Sequence, residues 1–266
     1  MASRYTADDA AAYHRLMGRW SGRLAEQLIA FAGVAPGDRV LDVGCGTGSL
    51  ALALAARPEP SAITGIDIAA PYIAYAAQRS TDARLSFVTG DAVALNLPPG
   101  SFDRSYSLLA LNFMSDPAAV IAGMGRATRQ GGVVAAAVWD FPGGVIYQRI
   151  FWDTAAALDP DADRARARHY SSPLTGPGEL AAAFLKAGLR DVVDASLTIR
   201  IEYDGFADYW QPIANAQGPV GDYVKRLAPP ELDRLAEAVR RAYLAGRTDG
   251  PRSMAATAWA ARGIVP

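Results

Sequence analysis

Val40-Leu41-Asp42-Val43-Gly44-Cys45-Gly46-Thr47-Gly48 runs an apolar strand into three alternate glycines and then into the helical stretch Ser49-Leu50-Ala51-Leu52-Ala53-Leu54-Ala55-Ala56. Glycine has no Cβ, so it accepts the positive φ of a tight strand-to-helix turn and lets a ligand reach the main chain, where the first N–H groups of the helix are unpaired. The spacing narrows the ligand. A dinucleotide loop reads G-x-G-x-x-G, whereas Gly44, Gly46 and Gly48 read G-x-G-x-G behind an acid, Asp42. A carboxylate at the strand tip repels a pyrophosphate and attracts a cation such as an α-ammonium. The ligand expected here carries adenosine and an amino acid; the competing role for Asp42 is to brace the loop by accepting backbone N–H groups.

On either side of this loop, short apolar strands near 39–43, 62–67, 85–89, 102–107 and 131–138 alternate with helical stretches near 47–57, 71–80 and 116–128. Alternation of this kind implies a mostly parallel sheet with helices on both faces, and ligands gather at the carboxyl ends of such strands. Residues 8–32 read as a helix pair ahead of the core, closed by Gly33 and Pro36-Gly37-Asp38. Beyond Trp139 the pattern loosens. Residues 140–176 and 204–250 read as insertions, the first with a helix over 145–158 and the charged run 159–168, the second with a helix over 230–245. Between and after them the core resumes as a helix to Ala187, a long strand to Tyr203 and a last strand over 253–261. The expected organisation is one domain over 1–266, made of a lead-in (1–38), a ligand-binding half (39–139) and two cap insertions.

Composition excludes several classes. The net charge of −1 offers no broad basic surface, so polymeric nucleic acid is not an expected partner. No apolar run approaches the ~20 residues that span a bilayer as a helix. Acids at Asp8 and Asp9 interrupt any export-signal pattern, and a single cysteine, Cys45, fits a reducing compartment, so a cytoplasmic location is expected. His14, His169 and Cys45 are not clustered as metal ligands would be, and no metal is expected.

Leu41 to Gly48 resembles the first motif of the class I S-adenosylmethionine-dependent methyltransferases. Three further segments are similar to that family in order and spacing: Ile63-Thr64-Gly65-Ile66-Asp67-Ile68, Phe87-Val88-Thr89-Gly90-Asp91-Ala92 and Phe102 to Phe113. The last of these, with Tyr13 to Ser21 upstream, resembles the ubiquinone- and menaquinone-type small-molecule branch. The resemblance implies a Rossmann-like, mostly parallel seven-stranded sheet with an antiparallel last strand and helical caps. It also implies S-adenosylmethionine as cofactor, S-adenosylhomocysteine as product and a small-molecule methyl acceptor. A nicotinamide-dependent oxidoreductase and a non-catalytic S-adenosylmethionine-binding protein are the competing readings.

Under that resemblance the cofactor set is Tyr13, Arg19, Asp42, Gly44, Cys45, Gly46, Thr47, Gly48, Asp67, Ile68, Asp91, Ala92 and Leu108. Asp67 would accept from both ribose hydroxyls, Asp91 from the adenine amino group, and Ala92 N–H would meet a ring nitrogen. Arg19 would fork onto the methionine carboxylate, because a planar guanidinium donates two parallel hydrogen bonds, and Leu108 would wall the sulfonium. His169, in the first insertion, is the candidate general base. Many relatives of the branch carry a histidine in an Ala-Leu-His-Phe pattern where this chain has Asn112, which can orient a substrate but cannot take its proton. Asn112, Tyr147, Tyr170 and Trp210 are the candidate acceptor contacts, aromatic faces suiting a flat apolar molecule.

Overall fold

The computed structural model describes residues 10–216 and 218–266, leaving out the side chains of Ala12, Tyr13 and Arg15. Its centre is a seven-stranded sheet in the order β3-β2-β1-β4-β5-β7-β6. The strands are β1 (Arg39–Val43), β2 (Ala62–Asp67), β3 (Leu85–Thr89), β4 (Phe102–Leu108), β5 (Thr128–Trp139), β6 (Arg190–Tyr203) and β7 (Arg252–Ile264). β1 to β5 pair in parallel, and β7 runs antiparallel between β5 and β6. Strand order reverses between β1 and β4, so the carboxyl ends of those two strands open the crevice in which such sheets bind ligands. The expected architecture is thereby met, with β7 intercalated and β6 at the edge.

Burial explains the strand composition. In β1 every residue after Arg39 is buried, as a central parallel strand covered on both faces requires. On one face α2 (Arg19–Ala32) lays down Trp20, Leu24, Leu28 and Ile29, and α3 (Ser49–Ala55) adds Leu50 and Leu54. On the other, α5 (Pro117–Ala127) and α8 (Glu179–Lys186) cover Leu41, Val134 and Val138. Asp116 caps α5 by accepting from Ala119 N–H at 2.9 Å, and Pro117 starts the helix where its missing N–H costs nothing. α4 (Ala70–Ala77) follows β2. None of the described helices is long and apolar enough to cross a membrane.

One sequence expectation needs correcting, and one segment gains an element. Residues 10–32 form one helical run, not a pair: α1 (Ala10–Tyr13) passes through a five-residue π-helical stretch, His14–Gly18, directly into α2. A Cβ on Gly18 would meet the His14 ring, so a glycine is what lets the widened turn close. The charged run after Leu158 is also ordered, as α7 (Pro160–Tyr170), following α6 (Ile146–Leu158). Asp159 caps it by accepting from Asp161 N–H at 2.8 Å, and Arg166 bridges Asp153 and Asp163. High polarity alone hid this helix, because its apolar face is reduced to Ala162, Ala165 and His169.

The second insertion folds as α9 (Phe206–Ala214), α10 (Gly218–Val224) and α11 (Pro229–Leu244). The second insertion leaves from the end of β6 and returns at the start of β7, where Tyr203 pairs Arg252, at the carboxyl edge of the parallel strands; the first leaves β5 at that same edge, where Val145 bridges Ala256, and α8 then returns the chain to the amino edge, where β6 begins. The aromatic side chains of both insertions pack into one body with α2. Tyr209 and Tyr243 stack at 4.9 Å, Phe206 stacks on Trp210 at 6.0 Å, and Phe151 meets Trp152 edge-on at 5.0 Å.

Candidate active site

The loop after β1 is shaped by its glycines. Gly44, Gly46 and Gly48 take φ of 71°, 52° and 84°, which side chains with a Cβ rarely adopt. Gly44 N–H and Cys45 N–H both donate to Ile66 C=O, at 2.8 and 3.0 Å, clipping the loop to β2. A Cβ at Gly44 would stand 2.5 Å from the Ala110 Cβ, so the loop can approach the end of β4 only as glycine.

Strand-end carboxylates anchor this loop and the helix behind it. Asp42 is buried; its Oδ2 accepts from Ala51 N–H in the first turn of α3 at 3.1 Å, while Oδ1 is buried with no partner. Burial pushes its carboxyl up to about 7 against the pull of that N–H, with the charge of Asp67 adding to the rise. Asp67 accepts from Gly46 N–H and from Ala69 N–H, both at 2.9 Å, and burial raises its pKa as well. Asp91, at the end of β3, accepts from Val93 N–H at 2.9 Å. Burial also drives the Cys45 thiol upward, so it is a packing group and no nucleophile.

These groups share a cavity of about 280 Å³. One side is the glycine loop with Asp42, Thr47, Asp67 and Asp91; the other is apolar, built from Leu108, Leu109, Phe113 and Met114. Leu109 turns the chain there with a φ of 60° while its N–H donates to Ala137 C=O at 2.8 Å. A leucine in the left-handed region is strained, and such strain gathers where function needs a side chain aimed. Thr47 Oγ1, like Asp42 Oδ1, is buried without a partner. Among the described residues no three His, Cys, Asp or Glu side chains converge as metal ligands.

The expected cofactor residues Asp42, Gly44, Cys45, Gly46, Thr47, Asp67, Ile68, Asp91, Ala92 and Leu108 all line this cavity. Gly48 stands behind it, packed toward Ala76 and Phe87. The Tyr13 side chain lies outside the described residues. Arg19 does not reach the cavity: its guanidinium bonds Asp208 of α9 at 3.0 Å and covers the Trp20 ring at 4.2 Å, so it ties the lead-in helix to the second insertion.

The candidate acceptor contacts are likewise displaced. His169, the proton acceptor expected from the sequence, does not line the cavity: it is buried with its ring centroid 4.0 Å from that of Phe141, and burial drops its pKa to about 4. Asn112 is buried and does not line the cavity, with its Nδ2 unpartnered. Tyr147 is buried under the cap, Tyr170 half-buried, and Trp210 stacked on Phe206. Conversely, Ser21, Tyr72, Phe113, Met114 and Ser115 line the cavity, though the sequence assigns none of them a role. Ser21 and Phe113 end the two segments that resemble the small-molecule branch, and Met114 and Ser115 directly follow the second of them; only Tyr72 had no signal nearby.

Comparison with known proteins agrees with this geometry. Residues 40–132 match the family described as methyltransferase domain. Over 166 residues the chain is 33% identical to 27-O-demethylrifamycin SV methyltransferase of Amycolatopsis mediterranei, covering 61% of this chain and 56% of that protein. This chain thus spans little more than half of that relative's length. It is 31% identical over 173 residues to demethylmenaquinone methyltransferase of Roseiflexus castenholzii, covering 62% and 73% of the two chains. Phosphoethanolamine N-methyltransferase 2 of Haemonchus contortus, solved with phosphomonomethylethanolamine and S-adenosylhomocysteine, shares the fold at a TM-score of 0.62 and 17% identity, over 97% of this chain and 57% of that one.

Proposed function

This chain belongs to the class I S-adenosylmethionine-dependent methyltransferases, and we propose that it transfers a methyl group to a small organic acceptor by in-line displacement. The observation that carries the reading is the ring of three aspartates, Asp42, Asp67 and Asp91, at successive strand ends around one cavity. Three carboxylates repel the pyrophosphate of a nicotinamide dinucleotide and suit a ligand whose polar groups are an ammonium, ribose hydroxyls and an adenine amine. The unpartnered Asp42 Oδ1 and Thr47 Oγ1 fit the same ligand, because buried polar atoms in a native fold normally have partners.

S-adenosylmethionine supplies a methyl group on a sulfonium that departs as a neutral thioether. The protein's part is alignment and exclusion of water. In the proposed arrangement Asp42 takes the ammonium, Asp67 the ribose hydroxyls through the lone pairs its backbone bonds leave free, and Asp91 the adenine amine. Leu108, Leu109, Phe113 and Met114 keep the reacting end dry. The insertions, joined to the lead-in helix through Arg19 and Asp208, are proposed to cover this edge of the sheet and choose the acceptor.

Calorimetry tests the first step: S-adenosylmethionine and S-adenosylhomocysteine are expected to bind and NAD is not. The reverse pattern would sink the proposal. Release of S-adenosylhomocysteine that depends on an added acceptor then separates an enzyme from a binding protein.

Asp42 adds a pH signature. Its carboxyl is held to about 7 in the folded protein against 3.8 for the free group, so without ligand its contribution to stability declines as pH rises from 3.8 through 7. An ammonium needs the charged form, so below pH 7 binding must expel a proton. The expected result is cofactor affinity that falls as pH drops below 7, by up to roughly tenfold per unit, with proton release to the buffer. In Asp42→Asn this dependence should flatten. Wild-type affinity that stays level from pH 5.5 to 8 would leave Asp42 as a brace alone.

A further inference from the structure

Beneath the insertions runs a buried polar string with a weak end. His169 Nε2 lies 2.8 Å from Gln148 Oε1, Gln148 Nε2 donates to the Tyr147 hydroxyl at 3.0 Å, and that hydroxyl donates to Met17 Sδ at 3.0 Å. An amide oxygen only accepts, so His169 must carry its proton on Nε2, which leaves Nδ1 bare; Nδ1 is buried with no partner. Each bond orients the next. With Gln148 filling the acceptor side of the Tyr147 oxygen, its hydrogen can point only outward, to a thioether that is among the poorest acceptors in a protein. Tyr209 fixes the same turn, its hydroxyl donating to Tyr147 C=O at 2.8 Å. A phenol oriented by Gln148, on a backbone that Tyr209 fixes, and matched so poorly at its own proton is arranged for a better acceptor.

The surroundings indicate which. Beside Tyr147 is a hole of about 20 Å³ walled by Leu16, Phe151, Ile213 and Val220, room for one oxygen atom among apolar side chains. The hole and the main cavity lie along one helical run: Leu16 walls the hole and Ser21, five residues on, lines the main cavity, with Met17 between them in the chain and accepting the Ser21 hydroxyl on its C=O at 2.9 Å. Methionine, unbranched and with three rotatable bonds, is the side chain best able to yield such a position.

We propose that this hole is the far end of the acceptor site, that it receives one carbonyl or hydroxyl oxygen of a flat apolar acceptor, and that Tyr147 turns its hydroxyl from Met17 Sδ to that oxygen. Gln148 and His169 are positioning residues in this arrangement. The inference rests on the methyltransferase reading, and narrows its acceptor to a molecule with an apolar body and an oxygen remote from the methylated atom.

The test uses the full chain saturated with S-adenosylhomocysteine and a matched pair of probes, 1-naphthol and naphthalene, in equilibrium dialysis. Tyr147→Phe keeps the ring and removes the hydroxyl. It is expected to weaken 1-naphthol about fivefold, the effect of one neutral hydrogen bond, and to leave naphthalene and S-adenosylhomocysteine unchanged. Gln148→Met, which leaves the tyrosine intact, should produce a smaller loss of the same selectivity. In the wild type, 1-naphthol should also shift the hydroxyl-sensitive tyrosine Raman doublet, read as the difference from Tyr147→Phe. Equal affinity of wild type and both variants for 1-naphthol overturns the proposal, as does wild type that binds S-adenosylhomocysteine but not the naphthol. Failure of wild type to bind S-adenosylhomocysteine at all would strike the methyltransferase reading instead.

Discussion

Gly46→Val is expected to remove S-adenosylmethionine binding, a loss of roughly 100-fold or more, about 2.7 kcal/mol, while the protein still melts in one cooperative transition. Gly46 has a φ of 52°, lines the cavity, and donates its N–H to Asp67 Oδ2 at 2.9 Å. Valine opposes each of these. A β-branched side chain in the left-handed region costs on the order of 1–3 kcal/mol, so the peptide will rotate away and surrender the bond to Asp67. What remains of the side chain projects into the space the ligand needs. The strain is confined to the loop between β1 and α3, and neither face of the sheet loses a core contact. Calorimetry beside a thermal melt separates the two effects, and an unchanged affinity would place the cofactor elsewhere.

Asp67→Ala is expected to weaken the cofactor by about 1.5 to 3 kcal/mol, the range for hydrogen bonds to a charged group, with little change in acceptor affinity. The structure adds a second cause to the one legible in the sequence. Besides offering lone pairs to a ribose, Asp67 ties Gly46 N–H and Ala69 N–H, so its removal frees the glycine loop from the tip of β2. Asp67→Asn keeps one acceptor oxygen and is expected to fall between wild type and alanine. The two variants should be read on protein with a normal melt. Equal losses for cofactor and acceptor would show a damaged fold rather than a missing ligand contact.

The cofactor half was legible because its contacts are made by backbone and by residues at strand ends. Once β1, β2 and β3 are recognised by their apolar runs, Asp42, Asp67 and Asp91 fall at one edge of the sheet with no further information, since parallel strands in register place their carboxyl ends together. The glycine spacing does the same for the loop, because φ at Gly44, Gly46 and Gly48 is a local property of those residues.

Arg19 and His169 show where such reasoning stops. Helical spacing puts Arg19 one residue from Trp20, but the carboxylate it meets, Asp208, is 189 positions away on a helix whose docking depends on the aromatic packing of both insertions. His169 directly follows the charged run 159–168, and only the approach of Phe141 and Trp152 buries it. Residue order was therefore enough for the parallel strands, the glycine loop and the three acids, because these follow from local backbone preference and strand periodicity. Tertiary packing settled which side of each aromatic faces inward, that Tyr147 points at Met17, and that Arg19 is held in an ion pair. Those outcomes depend on contacts between segments far apart in the chain, for which residue type carries no address.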